Sequence, residues 1–213
     1  MKATRKEHDF LGELEIPNEV YYGVQTFRAI ENFNITGIPI SKEPLFIKAL
    51  GYVKKAAAMA NKDCGVLDAK IAEAICYGSD QLIAGKFDQE FVSDLIQGGA
   101  GTSVNMNANE VIANIGLEFL GHKKGEYQYL HPNNHVNCSQ STNDAYPSAF
   151  RIALYLKMES FLTTLEELEK AFTAKGREFS KVLKMGRTQL QDAVPMTLGQ
   201  EFHAYATTIG EDI

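Results

Sequence analysis

Three stretches of this chain combine small residues with neutral hydrogen-bonding side chains. Residues 98–107 read GGAGTSVNMN, residues 138–143 read CSQSTN, and residues 186–193 read GRTQLQDA. The candidate donors are Thr102, Ser141, Thr142, Asn143, Thr188 and Gln189. Such residues suit anion binding. A helix N-terminus offers unpaired N–H groups and about half a positive charge. Glycines let backbone approach a ligand, and hydroxyls and amides add donors. Neutral donors also tighten when a second negative charge develops on a bound carboxylate, which is oxyanion-type stabilisation. The plainer reading of any one run is a helix cap, since caps are made of Ser, Thr, Asn and Asp. Asp144 is expected to cap the helix after the second stretch, with Pro147 in its first turn.

Other reactive residues carry less. His131 and His135 are four apart, but Pro132, Asn133 and Asn134 between them read as loop, and no metal site is expected. Cys138 has no base beside it and reads as a small buried residue, and His203 as a packed or surface histidine. No cofactor is expected.

The elements that must position these groups are mostly helical. Residues 1–40 mix β-prone pieces, EVYYGVQTF and NFNITGIPI, with a turn around Gly37 to Pro39. A helix around LFIKALGYVKKAAAMANK ends near Gly65, and a second, capped by Asp68, stops at Gly85. A third begins near Asp88, and a fourth, NANEVIANIGLEFLG, runs to Gly121. Residues 122–143 read as loop. Phe150, Leu154, Met158, Phe161, Leu165, Leu168 and Phe172 then recur at intervals of 4, 4, 3, 4, 3 and 4. That seam marks a long helix in a bundle, with Glu166, Glu167, Glu169 and Lys170 on its solvated face. Past Phe179, GRTQLQDAVPM reads as loop, and Thr197 with Gln200 forms a capping box opening a last helix.

The fold class is therefore mainly α with minor β. A small helical domain, 1–140, precedes the beginning of a long-helix bundle, 141–213, whose partner helices are not all present. With 213 residues, 45% hydrophobic, 23% charged and a net charge of −6, the composition is that of a soluble globular chain. The acidic balance argues against nucleic acid, and no apolar run is long enough for a membrane span. MKATRKEHDF lacks the apolar core of a secretory signal. Three cysteines, Cys64, Cys76 and Cys138, without a C-x-x-C pair, fit a reduced, cytoplasmic protein.

GGAGTSVNMNANEV, HPNNHVNCSQSTNDAYPSAFRIA and KMGRTQLQDAVPMTLGQEF, in this order and spacing, resemble the aspartase/fumarase superfamily, and the likeness runs the length of the chain. Gln189, and Ser-Thr-Asn at 141–143, look like its aspartase branch rather than its fumarases. The resemblance implies a cofactor-free, reversible anti-elimination of ammonia from L-aspartate to give fumarate, through an enediolate. By similarity, Thr102, Ser141 and Thr142 grip the β-carboxylate, and Asn143 contacts the amino group with Gln189 nearby. Thr188 reaches the α-carboxylate. The resemblance further implies a homotetramer whose active sites draw on several subunits. Family members run to roughly twice this length. Their general-base Ser loop, of the type G-S-S-x-M-P-x-K-x-N, does not occur here, so no catalytic base is assigned and the chain alone is expected to be inactive. A second anion site known in fumarases at H-P-N-D is not carried over, since Asn134 replaces the Asp. The alternatives are a fumarase-type hydratase and a non-catalytic helical scaffold.

Each large apolar side chain of the seam is worth about 1.5–3 kcal/mol when buried. The chain is therefore expected to self-associate through residues 150–172, and sedimentation as a clean monomer would contradict this.

Overall fold

The structure, a computed structural model, describes residues 3–213. It is mainly α-helical and divides into two compact units, Met1–Leu154 and Tyr155–Ile213.

The first unit opens with a hairpin of β1 (Thr4–Asp9) and β2 (Gly12–Pro17), paired antiparallel from Thr4 with Pro17 to Asp9 with Gly12. Four helices follow, α1 (Val24–Asn32), α2 (Pro44–Asp63), α3 (Ala69–Ile83) and α4 (Thr102–Phe119). The start of α5 (Thr142–Glu178) completes the unit. Helix α4 is its axis, because every residue from Val104 to Leu117 is buried. Helix α3 lies so close to it that a Cβ on Gly78 would sit 2.9 Å from the Ile112 carbonyl oxygen. The apolar core gathers Ile47 and Leu50 of α2, Ile75 and Leu82 of α3, and Val111, Ile112 and Leu117 of α4.

Polar residues on α4 fasten the surrounding segments. Glu110 accepts hydrogen bonds from the backbone N–H groups of Gly23, Gln25 and Thr26 and from the Thr26 hydroxyl. Glu7 accepts from the Val24 N–H. Two buried carboxylates thus occupy the positive end of α1. This explains a departure from the sequence reading: the β-prone letters after Gly23 are helical because tertiary partners satisfy the helix start. The β1–β2 hairpin was not foreseen.

The helix expected near Asp88 is only a short 3-10 turn, Asp88–Glu90. The chain after it is held extended, with Ile40 N–H donating to the Ser93 carbonyl and Leu95 N–H to the Ile38 carbonyl. Asp94 fastens the facing turn by accepting from Ile35, Thr36 and Gly37 N–H groups. Elsewhere the stops fall as expected, with Gly65 and Gly85 at φ +72° and +71° behind α2 and α3. Within the segment expected to be loop, Pro132–Val136 forms one π-helical turn.

The second unit contains the rest of α5, a hairpin of β3 (Leu183–Thr188) and β4 (Gln191–Thr197), and α6 (Leu198–Asp212). Phe172, Phe179, Phe202 and Tyr205 hold it together, with ring centroids 5.5–6.2 Å apart. The hairpin corrects the loop expected at GRTQLQDAVPM, whose turn has none of the usual glycine signal. The Thr197–Gln200 capping box forms as expected. Along the seam, Phe150, Leu154 and Phe161 remain 54%, 50% and 55% exposed.

Burial pushes the Glu110 carboxyl up to about 7 from its ordinary 4.5, opposed by the Thr26 hydrogen bond and reinforced by the nearby Glu7. A raised carboxyl pKa means that ionisation opposes folding, so the contribution of Glu110 to stability is greatest below 4.5 and falls as pH climbs toward about 7. Urea unfolding across that window is expected to show this fall in the wild type and not in Glu110→Gln. Parallel curves would refute it.

Candidate active site

The first donor stretch is a left-handed turn. Gly99, Ala100 and Gly101 have φ of +66°, +51° and +94°, delivering the chain into α4 at Thr102. Gly101 cannot carry a side chain, because its Cβ would lie 2.2 Å from the Tyr146 ring. The Gln97 side chain accepts from Val104 N–H at 2.7 Å, filling part of the vacant helix start. The Thr102 hydroxyl is exposed and donates to the Gly99 carbonyl at 2.5 Å.

The second stretch opens α5. Ser141 Oγ accepts from Asn143 N–H at 3.1 Å, and Asp144 reaches back to Ser141 N–H at 3.3 Å. Ser141 is therefore the cap and Asp144 its reciprocal partner, correcting the expected order. Pro147 also lies inside the helix rather than in its first turn. Lacking an N–H, it leaves the Asn143 carbonyl without its usual donor four residues on. The Thr142 hydroxyl oxygen accepts from Asn105 Nδ2 at 3.3 Å. Gln97, Ala100 and Gly101 share a cavity of about 490 Å³ with Asn143, Tyr146 and Pro147. Two of the three stretches thus meet on one chain.

Beneath the second stretch lies a residue that sequence reading missed. Lys54 of α2 is fully buried and donates to Asn105 Oδ1, Gln140 Oε1 and Asn137 Oδ1 at 2.7, 2.9 and 3.0 Å. Burial pulls its pKa down to about 7 from 10.5. The signal was present, since Ile47, Leu50, Lys54, Ala58 and Asn61 recur at helical spacing along the buried stripe of α2.

The second unit presents Thr188 and Gln189 at the tip of the β3–β4 hairpin, where Thr188 pairs with Gln191. Gln189 and Leu190 form its turn at φ +50° and +63°, and the Leu190 side chain is 97% exposed. Ala100, Ser139, Gln189 and Leu190 are the non-glycine residues with positive φ among the described residues. All four fall in the three donor stretches. Left-handed backbone in residues that disfavour it collects at binding sites, where surrounding structure holds it.

His131 Nδ1 accepts from Asn133 and Asn134 N–H groups, and His135 Nδ1 accepts from His131 N–H. Burial lowers both pKa values, the neighbouring imidazoles adding to the effect at His131, so the pair serves as neutral turn caps. No group of three His, Cys, Asp or Glu among the described residues could hold a metal ion. Cys138 is half-buried with Sγ 3.7 Å from Ser139 Oγ, and His203 is exposed where α6 crosses Gly176.

A family model described as "Lyase" matches residues 12–213. An aspartate ammonia-lyase of Pseudomonas fluorescens is 62% identical over 211 residues, 99% of this chain and 44% of that protein. A crystal structure titled fumarate lyase:delta crystallin, from Brucella melitensis, aligns with TM-score 0.88 and 54% identity over 99% of this chain and 49% of its own. A class II fumarase from Schistosoma mansoni aligns with TM-score 0.86 and 34% identity over 98% of this chain and 44% of its own. The chain spans less than half the length of the curated relatives it matches.

Gly101→Ala tests the meeting of the two stretches. A methyl group there must displace Tyr146 and strain the turn, so a loss of about 1–3 kcal/mol in unfolding free energy is expected. A change below about 0.5 kcal/mol, the usual range for surface substitutions, would show that the contact is not tight.

Proposed function

We propose, from the premise that this chain belongs to the aspartase/fumarase family of lyases, that its protein eliminates ammonia from L-aspartate to give fumarate, reversibly. One observation carries the reading: the 62% identity to an aspartate ammonia-lyase runs over 99% of the chain, and so through all three donor stretches.

Removing a proton from the substrate's Cβ places a second negative charge on the β-carboxylate. Thr102, Ser141 and Thr142 are the donors assigned to that charge, and neutral donors gain most as it develops. Asn143 meets the amino group through its side-chain oxygen. Thr188 takes the α-carboxylate and Gln189 lies near the amino group, both supplied by the hairpin tip of a neighbouring copy in a homotetramer. The general base is assigned to residues beyond these 213, so the chain by itself is expected not to turn over. No cofactor takes part, and three unpaired cysteines suit the cytoplasm.

The 34% identity to a class II fumarase supports a second reading, hydration of fumarate to L-malate. Ultraviolet absorbance of fumarate distinguishes them in the protein that carries this chain. L-aspartate is expected to be consumed and L-malate not, and Thr142→Val is expected to lower kcat by about 10²-fold. Turnover of malate alone would replace the reading, and unchanged kcat in the variant would remove Thr142 from the site.

A further inference from the structure

Lys54 has three N–H donors and three acceptors, all neutral amide oxygens, within 3.0 Å. No carboxylate is among these partners. An apolar side chain of similar length would be cheaper to bury. What it could not do is impose a direction on the amides around it.

An amide can present oxygen or nitrogen to a neighbour, and its hydrogen-bond network decides which. While protonated, Lys54 only donates, so Asn105 turns Oδ1 toward it. Its Nδ2 then points the other way, to Asn137 Oδ1 at 3.1 Å and Thr142 Oγ1 at 3.3 Å. A hydroxyl that accepts from an amide keeps its own hydrogen free to donate elsewhere. The same polarity governs the main chain before Ser141. Gln140 gives Oε1 to Lys54 and Nε2 to the Val136 and Cys138 carbonyls at 2.9 and 3.2 Å. Asn137 gives Oδ1 to Lys54 and Nδ2 to the Gln140 carbonyl at 3.1 Å.

We propose that Lys54 is the positioning residue of this site: its buried ammonium fixes the orientation of Asn105, Asn137 and Gln140, and through Asn105 turns the Thr142 hydroxyl hydrogen toward a bound carboxylate. The inference deepens the lyase reading and takes from it only that Thr142 meets the substrate's carboxylate. Lys54 itself touches no substrate. It acts two hydrogen bonds away.

Two measurements test it separately. In this chain labelled with ¹⁵N at Asn and Gln side chains, hydrogen exchange of the Asn105 and Gln140 amide groups is expected to speed up at least about tenfold in Lys54→Met. Unchanged exchange would overturn the proposal. Should the variant not fold, the wild type still decides. Three hydrogen bonds predict a slowly exchanging ¹⁵Nζ ammonium signal for Lys54 at a pH well below its pKa of about 7, and its absence there would overturn the proposal.

In the protein that carries this chain, Lys54→Met is expected to lower kcat for L-aspartate by about 30-fold or more, but by less than about threefold in a Thr142→Val background. Fully additive losses would overturn the route through Thr142. Should the wild-type protein leave L-aspartate untouched, the lyase reading falls, and the amide-exchange result stands or falls by itself.

Discussion

A helix with no exposed face must find partners for the polar groups it carries, and α4 imposes that demand on the first unit, leaving Asn109 Oδ1 alone among its described side-chain atoms buried without one. Between Val104 and Leu117 it buries Asn105, Asn107, Asn109, Glu110 and Asn114. Asn105 binds the loop before α5, and Asn107 binds the Glu90 carbonyl. Glu110 holds the start of α1. Asn114 ties the Tyr21 carbonyl, the Gly125 N–H and the Tyr127 hydroxyl. Buried polar groups are costly unless bonded, so each one selects a particular arrangement of the segment it meets. The irregular parts of the unit are thereby placed as firmly as its helices.

The same economy of charge shapes the candidate site. In an acidic chain the overall field disfavours an anion, so local polarity is what a site for one would depend on. Two helices start at one cavity, and Lys54 is fully buried beneath the loop that opens α5. No acidic partner cancels that charge within its hydrogen-bonding shell. The field it adds is directed through amides instead of being screened by a carboxylate or by water.

Strain follows the donors. The three stretches differ in element type, being a glycine turn, a capped helix start and a hairpin tip, yet each contains left-handed non-glycine backbone. At the first, Tyr146 against Gly101 makes the turn possible only without a side chain. At the third, Gln189 and Leu190 occupy a turn that usually takes glycine or asparagine.

Sequence by itself determined the elements whose signals are local. The Asp68 cap, the glycines at 65 and 85, the Thr197–Gln200 box and the long α5 seam all depend on neighbours a few residues apart. It also singled out the three neutral stretches, because small and hydroxyl-bearing residues cluster visibly. Tertiary structure decided what depends on distant partners. Residues 24–32 became helix because Glu7 and Glu110 satisfy their N–H groups, and residues after Asp88 stayed extended because they pair with 38–41. Lys54 was one more lysine in an alanine-rich helix until its three amide partners, 51 to 86 positions away, came into contact with it. Hydrogen-bond polarity is a property of networks, and a network closes only when the chain has folded.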